Sequence, residues 1–195
     1  VFKCYDGNEQ IALMALVNGL ILLPFVLLFS PAGFISDRFA KHRVIRMAAA
    51  SAIPLTLLIL LAYQAGLFWT AFLGTFLLAA QSAFYSPAKL GYIKELLGKE
   101  RLSAANAWVQ AVGIIAILAG GVVYSILFES LLSGQEDTPT AIVRAIAPCG
   151  YLLVLGAIIE TFLAFRLPVV EAGNTSLVFS RDEYLHGRYL RRILK

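Results

Sequence analysis

Five long apolar runs leave this chain of 195 residues few ways to fold. They extend roughly over residues 11–36, 47–64, 67–88, 104–128 and 146–165. Most are long enough to cross a hydrocarbon core about 30 Å thick as helices. The basic residues fall in every second gap between the runs. Fourteen of the sixteen Lys and Arg side chains lie in three places: Arg38 to Arg46, Lys89 to Arg101, and Arg166 to Lys195. Only Lys3 and Arg144 lie on the other side. Cytoplasmic loops collect Lys and Arg, so the alternation predicts a multi-pass helical membrane protein with the basic ends in the cytoplasm.

Composition argues the same way. The chain is 59% hydrophobic and 14% charged, against about 45–50% and about 25% for a soluble globular domain. The net charge of +4 does not point to nucleic acid, because the basic residues flank the spans and no basic stripe alternates with stacking aromatics. Their expected partner is the anionic leaflet. No cofactor is implied, and no Cys/His cluster has metal-ligand spacing. Cys4 and Cys149 both fall toward the outer side, where a bridge is conceivable, but Cys149 beside Pro148 reads more simply as packing.

Five spans with a cytoplasmic C-terminus place the N-terminus outside, so at least one upstream span is expected in the whole protein. Residues 1–10 read as an external loop. The first run carries Pro24 and Pro31, which membrane helices tolerate, with a kink as the common result. Ala65-Gly66 predicts a tight hairpin between the second and third runs, with Phe68 and Trp69 at headgroup level. Pro87 is expected to end the third run. In the polar segment that follows, Lys94, Glu95, Lys99 and Glu100 allow local pairing. Gly113, Ala116, Gly120 and Gly121 in the fourth run predict close helix approach. From Pro168 the chain reads as a cytoplasmic linker, within which residues 180–195 could form a surface amphipathic helix.

The residues able to carry chemistry cluster at the basic ends. Gly33 offers close backbone contact, and Asp37 can pair with Arg38, Lys41 or Arg43, or face a helix N-terminus, so that the cluster would latch two bundles together. A solvated topogenic loop explains the same charges. The spacing Gly33, Asp37, Arg38, Lys41, His42, Arg43 resembles the signature loop of the major facilitator superfamily, with Ala40 where that family usually has Gly. The resemblance implies that this loop joins the second and third of twelve helices. The chain would then be a partial N-terminal six-helix bundle (residues 1–167) lacking its first helix, followed by a linker (168–195).

A second segment runs Tyr85-Ser86-Pro87-Ala88-Lys89, then Gly91, Glu95-Leu96 and Ala105-Asn106. It is similar to the loop after the fourth helix of bacterial lysophospholipid transporters, especially those fused to acyltransferase and acyl-carrier-protein ligase domains. The residues themselves suggest an ammonium at Lys89 and a hydroxyl at Ser86 able to hold a phosphodiester, with Glu95 and Asn106 shaping the loop; a snorkelling anchor at Lys89 is the plainer alternative. Glu160 is the ionisable group deepest in a run. It is a candidate functional carboxylate or the partner of Arg166. Gln81, Ser82, Asn106, Gln110 and Tyr124 are polar groups that could line a cavity or bond between helices.

No enzyme chemistry is visible in the chain. The His–Asp pair of acyltransferases is absent, since His42 is followed five residues on by Met47 and His186 by Arg191. The resemblance implies transport of lysophospholipids across the bacterial inner membrane for reacylation, with a second transporter half as partner. The alternatives are an exporter of drugs or metabolites on the same fold, and a membrane anchor for a fused acyltransferase.

Overall fold

A computed structural model describes residues 7–132 and 138–170. Among them are α1 (Gly7–Arg38), α2 (Lys41–Ala65), α3 (Phe68–Leu131), α4 (Pro139–Ala145) and α5 (Ala147–Arg166), and no strand. α1, α2, α3 and α5 are each long and apolar enough to cross a membrane. The chain is an all-α, multi-pass membrane protein. Cys4, part of the loop before α4 and the expected surface helix at 180–195 lie outside the described residues.

The helices run past the apolar limits drawn from sequence. α1 begins at Gly7, within the expected loop, and continues through Pro24 and Pro31 to Arg38. The hairpin at Gly66 has the expected form. Gly66 takes φ 74°, ψ 21°. Its N–H donates to Tyr63 O at 3.0 Å and that of Leu67 to Ala62 O at 2.8 Å, which is the paired closure of a Schellman cap. Glycine is required here by the left-handed backbone, and the Thr140 and Arg144 side chains crowd it from α4.

The largest correction concerns α3. As one straight helix its 64 residues would measure about 96 Å, some three times the hydrocarbon thickness. The break is at Gly98 (φ 73°, ψ 179°), while Pro87 sits within continuous helix. Pro87 lacks only the N–H that would bond residue 83. A membrane helix absorbs that loss, whereas the backbone at Gly98 belongs to a region that glycine alone occupies readily. α3 is therefore two arms, 68–97 and 99–131, which supply the third and fourth expected spans.

Packing follows the membrane rule of small residues inside and large ones out. The buried set is dominated by Ala48, Ala49, Ala52, Ala79, Ala83 and Ala88, while Val26, Trp69 and Ile117 are each at least 75% exposed. Lipid tails cost large apolar side chains nothing, and small residues let helices approach. α2 is the central helix, packed on α3 and α5, and α1 lies against α3. The close approaches are at Gly74 against Ile59 and Gly150 against Leu60. The expected ones fail: nothing lies within 4 Å of a Cβ built at Gly33, Gly113, Gly120 or Gly121. Those glycines adjoin open space, and Gly121 borders a chamber shared with α2 and α5.

Candidate functional site

Two groups of residues stand out. One ties the helix ends together at the basic end, and the other forms a polar chamber within the bundle.

At the basic end, α1 turns into α2 through Phe39 and Ala40. Ala40 has φ −57° and ψ 122°, open to any L-residue, so this turn does not need the glycine common in the family. Lys41, in the first turn of α2, crosses Gly91 and ion-pairs with Glu95. Gly91 makes room for it, since a Cβ there would lie 2.7 Å from Lys41 Cδ and nearer still to Cε. The pair is largely withdrawn from solvent, with side-chain exposures of 12% and 18%. The second Glu95 oxygen is buried without a partner.

The expected pairing of Asp37 does not form. Asp37 is exposed, and Arg38 instead lies over the Phe34 and Phe39 rings. Arg43 is exposed too and edges a 670 Å³ apolar groove with Phe39, Met47 and Phe84. Glu95 bonds across helices to Lys41 rather than locally to Lys94 or Lys99.

His42, Arg46 and Tyr92 hold the chain after α5. His42 is buried, and its Nδ1–H donates to Val170 O at 3.2 Å. The Tyr92 hydroxyl donates to Pro168 O at 3.0 Å. Arg46 donates to the carbonyls of Ala164, Phe165 and Leu167, at 3.3, 3.3 and 2.8 Å, and lies over the Phe165 ring. A guanidinium thus caps the carbonyl end of α5, where free acceptors and the helix dipole both favour a cation. Sequence spacing singled out neither Arg46 nor Tyr92. Arg46 is one basic residue among four in its gap, and only the fold aims it at α5.

The second candidate segment is spread over several environments. Ser86 and Lys89 are exposed near one another on α3, but the Ser86 hydroxyl donates to Ser82 O at 3.0 Å. Pro87 is half-buried beside them, and Gly91 and Glu95 belong to the Lys41 contact. The side-chain oxygen of Asn106, on the second arm, is buried with no partner, and Gln110 is exposed.

Glu160 is not paired with Arg166, which lies over the Phe162 ring. It enters a 280 Å³ chamber whose other polar walls are Thr56, Gln81, Ser82, Tyr85 and Tyr124. Its carboxyl sits beside the Tyr85 hydroxyl. Gln81 Nε2 donates to Ala48 O at 2.7 Å and accepts from Ser82, so the chamber wall is held across helices. Leu78, Tyr124 and Leu153 are shared with a more apolar chamber of 600 Å³, which continues past Tyr63, Phe128 and Cys149. Cys149 is a free, buried thiol. No group of three or more metal-ligating side chains occurs among the described residues.

No family model matches the chain, and no solved structure does. Curated relatives do. The lysophospholipid transporter LplT of Serratia proteamaculans (strain 568) is 33% identical over 164 residues, 84% of this chain and 35% of that protein. The LplT of Photorhabdus laumondii is 39% identical over 125 residues, 64% of this chain and 28% of that protein. The LplT of Yersinia pestis (strain Pestoides F) is 35% identical over 150 residues, 76% of this chain and 34% of that protein. The chain thus spans about a third of the length of these relatives. At 33–39% identity over much of the chain, these relatives support placing it in the lysophospholipid transporter family, of the major facilitator type.

Proposed function

We propose that this chain serves as part of the N-terminal bundle of a transporter that flips lysophospholipids to the cytoplasmic leaflet of the bacterial inner membrane, where they are reacylated. The observation that carries this reading is the pair of joined chambers. One is small and lined by Glu160, Gln81, Ser82 and Tyr85; the other is larger and mostly apolar; they share Leu78, Tyr124 and Leu153. A substrate with a polar head and one acyl chain matches that division, whereas a sugar or a free ion has no use for the apolar part. Transporters of this kind bind between two halves and alternate access by rocking them. In the whole protein a second bundle would complete the path, with the exposed Asp37 meeting it at the basic, cytoplasmic end. Lys41–Glu95 would keep the turn that presents Asp37 rigid.

The test is uptake of labelled lysophospholipid by the full-length protein in proteoliposomes, beside a small cationic drug, for wild type and Asp37→Lys. Lysolipid uptake that is lost in Asp37→Lys supports the reading. Transport of the drug alone would favour an exporter. Uptake of neither compound would favour a membrane anchor for a fused acyltransferase, and lysolipid uptake unchanged by the charge reversal would remove Asp37 from the mechanism.

A further inference from the structure

We infer that Glu160 selects the headgroup, taking the ammonium of an amine-bearing lysophospholipid; this rests on the transport reading above. Three observations point there. The polar chamber is bounded by one acidic side chain, by hydroxyls and by one amide, and no Lys or Arg lines it. The nearest basic side chains of α2 and α5 are committed elsewhere, Arg46 to the α5 carbonyls and Arg166 to the Phe162 ring. The Glu160 carboxyl has the Tyr85 hydroxyl beside it and no ion-pair partner among the described residues.

An ionised carboxylate within the membrane needs a compensating positive charge. A phosphate placed in this chamber would face the carboxylate across a medium that screens poorly, and like charges there repel strongly. A primary ammonium supplies the missing charge and three donors. Glu160, the Tyr85 hydroxyl and the Gln81 side-chain oxygen lie around the chamber to receive them. The adjoining apolar chamber, reached past Tyr124, takes the acyl chain. The chamber therefore favours an ethanolamine-type head over a glycerol-type head, which carries phosphate but no cation.

The experiment uses full-length protein in proteoliposomes and measures uptake of lysophosphatidylethanolamine and lysophosphatidylglycerol, separately and in competition, for wild type, Glu160→Gln and Glu160→Asp. Glu160→Gln keeps the shape and removes the charge. It is expected to lower uptake of the amine lipid by about tenfold or more, the scale of one lost charge-assisted contact. Glycerol-lipid uptake should not fall, because the charge that repels phosphate is gone, and a helical circular dichroism spectrum matching wild type shows that the variant is folded. Glu160→Asp should recover part of the preference. An equal fall for both lipids, or no change for either, overturns the role of Glu160 and leaves the transport reading standing. If wild type moves neither lipid, the transport reading itself fails and takes this inference with it.

Discussion

Replacing Gly91 with Ala should destabilise the protein or stabilise it according to what stands at position 41. In the wild type the new Cβ would collide with the Lys41 methylenes. Those atoms end a flexible side chain, so the clash is relieved by Lys41 swinging off the helix. The cost is then the ion pair and not the strain. Exposed pairs are worth about 0–1 kcal/mol, and breaking fully buried ones costs about 3–5 kcal/mol. With exposures of 12% and 18%, the Lys41–Glu95 pair falls between, near 2 kcal/mol. Alanine in mid-helix returns about 0.5–1 kcal/mol relative to glycine. The net loss in the wild type is about 1–1.5 kcal/mol. In a Lys41→Ala background the space over residue 91 is open and the pair is already gone, so the same change should stabilise by about 0.5–1 kcal/mol. Denaturant titration of the four purified full-length proteins in one detergent completes the cycle. An equal effect of Gly91→Ala in both backgrounds would refute the assignment of Gly91 as the seat of Lys41.

Three further outcomes are expected. Arg46→Met should cost about 1.5–3 kcal/mol through lost charged hydrogen bonds and speed amide exchange at the end of α5, and Arg46→Lys should restore only part, lacking the fork that reaches three carbonyls. Gly98→Ala should cost about 1–3 kcal/mol, since alanine must hold a backbone region reserved for glycine; Pro87→Ala should cost less, and the opposite order in thermal denaturation would place the α3 break wrongly. Lys89→Gln, on an exposed side chain, should leave stability within about 0.5 kcal/mol, so a loss of lysolipid uptake in that variant would register contact with phosphate.

What the sequence disclosed was the part of the fold governed by local rules. Run length and alternating charge marked the spans, and Gly66 marked the hairpin because one left-handed residue is enough to close it. The break in α3 was misplaced because Pro87 is the louder local signal, yet a membrane helix forgives a single missing donor more easily than it hides the backbone angles of Gly98. Lys41 and Glu95 were both picked out, in separate segments. That they bind each other depends on a contact across 54 residues, which no spacing within either segment encodes. Glu160 was legible as an oddity of depth, but its neighbours Tyr85, Gln81 and Thr56 come from two other helices. The glycines of the second α3 arm misled because their pattern states a capacity for close approach and says nothing of where the approaching partner is.

The hold on the segment after α5 has a consequence for variation. The hydrogen bonds that His42, Arg46 and Tyr92 make there all go to carbonyl oxygens, those of Ala164 and Phe165 at the end of α5 and those of Leu167, Pro168 and Val170 after it. Every residue type offers that same oxygen. A change of side chain in this stretch leaves those hydrogen bonds in place even where it disturbs the packing of Ala164, Leu167 or Val170 on the core, and the hold itself depends on three positions more than seventy residues earlier in the chain.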